Sequence, residues 1–79
     1  MSKKTTLSDQ YIQGNREFIG TQIRAFREKK GFSQDELAKI MEVNRSTISK
    51  VETGKFAITI DYLLKFGFHL NFNISFVET

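Results

Sequence analysis

The chain has 79 residues, a formal net charge of +3, eight Phe and neither Cys, Trp nor Pro. That length holds one domain, and the missing cysteines exclude disulfides and Cys-ligated zinc fingers while fitting a reducing compartment. With no apolar run of the roughly 18 residues that a membrane helix needs, the expectation is a cytoplasmic protein that makes no membrane contact. Lys3, Lys4, Arg16, Arg24, Arg27, Lys29 and Lys30 outnumber the acids of residues 1–32, Asp9, Glu17 and Glu28. A basic front of this kind points to a polyanionic partner.

Residues 1–14 are polar and weakly patterned, and read as a flexible N-terminal arm ending at Gly14. From Asn15 the spacing predicts a helix, with Ile19, Ile23 and Phe26 on one face and cations in its last turns before a stop at Gly31. A second helix has a full start signal: Ser33 as cap, Glu36 reaching back, and Phe32 stapled onto Leu37. Leu37, Ala38 and Met41 form its inner stripe. The same grammar follows a short turn, with Asn44 as cap, Val43 stapled onto Ile48, Val51 on the buried face and Gly54 as the stop. A fourth short helix is expected from about Thr59, packing Leu63 and Leu64 and stopping at Gly67. In FHLNFNISFV, residues 68–77, the period changes to two. Phe68, Leu70, Phe72, Ile74 and Phe76 alternate with polar residues, which predicts a strand with one apolar face.

Two short helices joined tightly, with Ala38 permitting close approach and Ile48 and Val51 docking the second on the first, have the spacing of a helix-turn-helix. The stretch IRAFREKKGFSQDELAKIMEVNRSTISKVETGK resembles the Xre/Cro/phage-repressor family of DNA-binding domains. Its Ser-Gln, Leu-Ala, Ile-Ser and Glu-x-Gly landmarks occur together, and the resemblance covers roughly Ile19 to Lys65. It implies a mainly α, lambda-repressor-like bundle of four to five short helices. In this division residues 15–67 form the DNA-binding domain and residues 68–79 a C-terminal dimerisation strand.

The resemblance also implies roles. Gln34, at the N-terminus of the second helix, would grip a phosphate, where free backbone N–H groups attract an anion. The third helix would enter the major groove, with Arg45, Ser46 and Lys50 as base readers; Arg and Lys favour guanine O6 and N7. Asn44, Thr47, Thr53 and Lys55 would contact the DNA backbone. Arg27 and Glu52 match positions that often form an ion pair in the family. Two departures stand out: Glu42 occupies a turn position usually held by Gly, and the strand stands where the family has a fifth helix.

An unpaired strand with a large apolar stripe needs cover. Pairing within the chain, against KFAITI or residues 5–7, competes with pairing between two copies. The latter would place Leu70, Phe72, Ile74 and Phe76 in an intermolecular sheet, similar to that of HipB-type antitoxins. His69, the only histidine, falls on the polar face with no second metal ligand nearby. No metal, cofactor or catalytic grouping is expected, and the chain reads as a non-enzyme. The expectation is a homodimeric repressor of a palindromic double-stranded operator, specifically the antitoxin of a toxin–antitoxin operon, with a toxin protein as further partner. A phage-like repressor, a restriction–modification controller and a protein-bridging module on the same fold are the alternatives.

Overall fold

Four helices follow one another in a computed structural model of the protein, which describes residues 8–79: α1 Asp9–Lys29, α2 Gln34–Met41, α3 Arg45–Glu52 and α4 Ile60–Leu70. The first half of the expected arm, residues 1–7, lies outside the described residues. Its second half is helical. Helix α1 starts at Asp9 rather than Asn15 because Ser8 caps it, its hydroxyl accepting from the Tyr11 N–H at 3.0 Å, and Asp9 places a negative charge on the positive helix end. Asn15 sits inside the helix, where its side-chain amide donates to the Tyr11 carbonyl at 2.9 Å.

The four helices end alike. Each runs into a residue with positive φ (Gly31, Glu42, Gly54 and Asn71), and the next N–H reaches back five positions. These closures are Phe32 to Arg27 O at 3.1 Å, Val43 to Ala38 O at 2.9 Å, Lys55 to Lys50 O at 2.8 Å and Phe72 to Gly67 O at 3.0 Å. This is the Schellman closure, which satisfies carbonyls that the helix itself leaves unpaired. Three of the four residues beyond the closure (Phe32, Val43 and Phe72) are apolar and fold back onto the core. At Glu42, φ 59°, the left-handed conformation costs about 1–2 kcal/mol. Lys65 helps hold this helix end, its Nζ donating to the Met41 carbonyl at 3.1 Å.

Helix α3 packs on α1 and α2, and α4 on the same two helices. Ile23, Leu37, Ala38, Met41, Ile48, Val51, Phe66 and Leu70 form the buried centre. Each large member contributes about 1.5–3 kcal/mol by leaving water. The α1–α3 approach depends on Gly20: a Cβ there would fall on the carbonyls of Val51 and Glu52, the Glu52 oxygen lying only 2.7 Å away.

The C-terminus departs from expectation. Helix α4 runs through Gly67 to Leu70, and no β-strand occurs among the described residues. Leu70, assigned to the strand face, is buried as a helical core residue, on the same stripe as Leu63 and Phe66. Asn71 then turns the chain in the left-handed region, and Phe72 packs on Phe26, ring centroids 5.0 Å apart. Gly67 makes room for this return, since a Cβ there would lie 2.7 Å from the Phe72 carbonyl. Of the four residues assigned to the dimer strand, only Ile74 and Phe76 lie beyond the helical body, in a non-helical tail. Leu64, expected to pack, is exposed, and its neighbour Leu63 takes the inner position.

Candidate nucleic-acid interface

Helix α3 divides sharply by face. Ile48, Val51 and Glu52 are buried against the bundle, while Arg45, Ser46 and Lys50 are exposed and Thr47 and Ser49 half-exposed. The 3.6-residue period accounts for this split, since 48, 51 and 52 share one side of the helix. The polar face therefore presents a guanidinium, hydroxyls and an ammonium on a rigid element.

Asn44 occupies the N-cap position, but its side chain makes no capping bond. The expected side-chain cap is thus absent, and the carbonyl of Asn44 instead accepts from the Thr47 N–H at 3.0 Å. An exposed carboxamide remains at the start of α3, beside the N–H groups of its first turn. Arg45 lies 3.6 Å from Asp35 across the helix pair. Both side chains are largely exposed, so this pair is worth well under about 1 kcal/mol and leaves Arg45 free to turn outward. Thr53 bonds back to its own helix, its Oγ1 donating to the Ser49 carbonyl at 2.9 Å. Its lone pairs stay available. Lys55 is exposed just beyond the Gly54 turn.

The start of α2 is more tightly built. Ser33 and Glu36 form a reciprocal capping box, with Ser33 N–H donating to Glu36 Oε1 at 2.7 Å and Glu36 N–H to Ser33 Oγ at 3.0 Å. Leu37 N–H donates to the Ser33 carbonyl. The N–H groups of Gln34 and Asp35 remain unpartnered among the described residues, aimed out of the helix end. Gln34 itself is half-buried: its Nε2 donates to Glu52 Oε1 at 3.0 Å.

Glu52 is the hub of this arrangement. Arg27 Nε donates to its Oε2 at 2.6 Å and Arg27 Nη2 to its Oε1 at 3.1 Å, forming a two-pronged pair between α1 and α3. Arg27 Nη1 also donates to the Phe32 carbonyl at 2.8 Å. Both residues are buried, at 8% and 7% exposure. The hydrogen bond to Glu52 raises the Arg27 pKa above its ordinary value, against the opposing effect of burial. One carboxylate thus joins the helix 1–helix 3 tie to Gln34, at the mouth of α2.

Sequence reasoning missed three contributors. Gln13 Nε2 donates to the Gly54 carbonyl at 2.8 Å, steadying the end of α3 from the early part of α1. Gly20 sets the α1–α3 spacing, and Lys65 caps α2. Gly20 had a legible signal: it falls on the stripe Gly20, Ile23 and Arg27, where a missing side chain marks a close crossing. Lys29 and Lys30 are exposed, and His69 is half-buried in the last turn of α4 beside the Phe68 ring, not on a strand. Among the described residues, no group of three or more His, Asp or Glu is placed to hold a metal ion, and no helix is long and apolar enough to cross a membrane.

A protein-family model described as helix-turn-helix matches residues 23–67, more than half the chain. No curated protein and no solved structure matches.

Proposed function

The chain belongs to the Xre/Cro-like helix-turn-helix family of DNA-binding regulators, and from that premise we propose that it is a homodimeric, non-catalytic repressor of a palindromic operator, acting in the cytoplasm. The observation that supports this most directly is the division of α3, polar and exposed on one side and locked to the bundle on the other. In this reading Arg45, Ser46 and Lys50 read base edges in the major groove. Asn44, Thr47, Thr53, Lys55 and Gln34 hold the DNA backbone, Gln34 through its backbone N–H and the second hydrogen of its Nε2. Repression follows from occupancy. Within this class the antitoxin of a toxin–antitoxin operon is the favoured subclass, because an apolar C-terminal segment follows the helix-turn-helix, similar to the extension of HipB-type antitoxins.

Operator-binding titrations test the assignment. Arg45→Ala or Lys50→Ala costs about 1–3 kcal/mol and relaxes preference at one operator position, whereas Gln34→Ala weakens all sequences alike. With roughly 6–10 phosphates neutralised, affinity falls by about 10³–10⁵ between 50 and 200 mM salt. A flat salt response would overturn the reading in favour of a protein-bridging role for α3.

A further inference from the structure

The tail leaves the bundle as the most exposed apolar segment among the described residues. Phe76 is 97% and Val77 83% exposed, and Ile74 lies at the rim of two grooves that flank the tail. One groove, of about 450 Å³, runs along α1 past Phe18 and Phe26; the other, of about 520 Å³, runs along α4 past Leu64 and Phe68. Phe18, Leu64 and Phe68 are themselves 62%, 54% and 78% exposed. At roughly 150–250 Å² for a whole aromatic side chain, the uncovered surface is on the order of 600–800 Å² per chain. That is close to the area each partner contributes to a stable interface. Residues 66–77 contain no Asp, Glu, Lys or Arg, so nothing on this face repels its own copy.

We propose that this face is covered by a second copy of the chain, the two tails pairing antiparallel about a twofold axis that passes through Ile74. The inference rests on the dimeric reading above and adds the register. In a twofold antiparallel pair, side chains of the same face meet, and residue numbers across the axis have a constant sum. Centring on Ile74 pairs Ile74 with Ile74 and Phe72 with Phe76 twice, while Asn73 meets Ser75 on the opposite, polar face. Moving the centre to Ser75 sets Phe72 against Glu78. Moving it to Phe76 sets Ile74 against Glu78. A centre between residues mixes the apolar and polar faces along the whole pair. A centre at Asn73 requires residues 70 and 71, which the helix and its left-handed cap already hold. Only the Ile74 register matches every apolar tail position of the 72, 74, 76 face with another and needs no helical residue. It returns Phe76 of each copy over the other's Phe72, against the flanking grooves.

The chain lacks cysteine, so single thiols report the register directly. Across an antiparallel pair, directly opposed residues have Cβ atoms about 4.5–5.5 Å apart, near disulfide range. Oxidation of full-length Ile74→Cys gives a covalent dimer on a non-reducing gel. Phe76→Cys does not self-link, because its copies stand four residues out of register, about 13 Å apart. An equimolar mixture of Asn73→Cys and Ser75→Cys links into the mixed dimer. Sedimentation of the reduced proteins is measured alongside. A dimer in which Phe76→Cys self-links, or in which Ile74→Cys does not, overturns the register while leaving the dimeric reading intact. A monomer that still binds a single half-site overturns both, and leaves DNA recognition by α3 standing.

Discussion

Removing one member of a buried ion pair strands the other, and Glu52 has little else to lean on. Arg27→Met leaves the carboxylate with Gln34 as its remaining side-chain donor, at a cost of about 3–5 kcal/mol. That is a large share of the roughly 5–15 kcal/mol that holds small domains folded. Arg27→Met combined with Glu52→Met removes both charges and recovers most of the loss. The Phe32 carbonyl still loses a donor, worth about 1 kcal/mol. Urea denaturation of the three proteins checks the order wild type, double variant, single variant. The sign with pH is also fixed. A raised Arg27 pKa contributes stability that is fully present below the ordinary arginine value and is lost only as pH rises through the folded value. Arg27 therefore stays charged from acid to neutral pH, and its own titration adds no pH dependence there.

Two glycines of α1 have opposite effects because one is packed and the other is not. A methyl at Gly14 would meet nothing within 4 Å among the described residues, and the position is in the helix interior, so Gly14→Ala stabilises by about 0.5–1 kcal/mol. Gly20→Ala drives a methyl into the α3 backbone and destabilises by at least the 1–3 kcal/mol typical of overpacking. Thermal melts separate the two, and an unchanged melting point for Gly20→Ala would refute the close crossing. The central elements were legible in the sequence because local chemistry and long-range packing agree there. The Ser33–Glu36 capping box and the apolar stripes of α2 and α3 each specify helix on their own. At the ends they did not agree. Gly14 read as a break, although Ser8 and Asp9 supply a helix start six residues earlier. Phe68, Leu70 and Phe72 read as a strand face because they alternate, but Leu63, Phe66 and Leu70 carry a helical stripe through the same residues. Burial of Phe66 and Leu70 decides between the two periods, and the Phe72 return settles where the helix ends. The exposed polar face of α3 was legible by residue type and position, while the Gln34–Glu52 bond and the Lys65 cap depend on three-dimensional neighbours that spacing does not encode.

At the scale of the molecule, the boundary between body and tail falls after Phe72. Truncation after Gly67 removes the last turn of α4 with Leu70 and Phe72, and leaves a chain that does not fold stably. Truncation after Asn73 keeps both and gives a helical monomer by circular dichroism and sedimentation. Without a tethered second half-site its operator affinity falls by about 10²–10⁴. A truncated protein that remained a tight dimer would move the interface elsewhere.

The same uncharged tail carries a liability. Phe72–Val77, FNISFV, is a six-residue window rich in aromatic and β-branched residues, with no charge and no proline. Those are the features of segments that stack into cross-β fibrils, and no gatekeeping lysine or proline interrupts them. Once partial unfolding of α4 frees Phe72 from Phe26, identical edges from many chains can add without limit, where a twofold pair closes after two. The segment proposed to close a pair is therefore also the one through which a destabilised chain would aggregate.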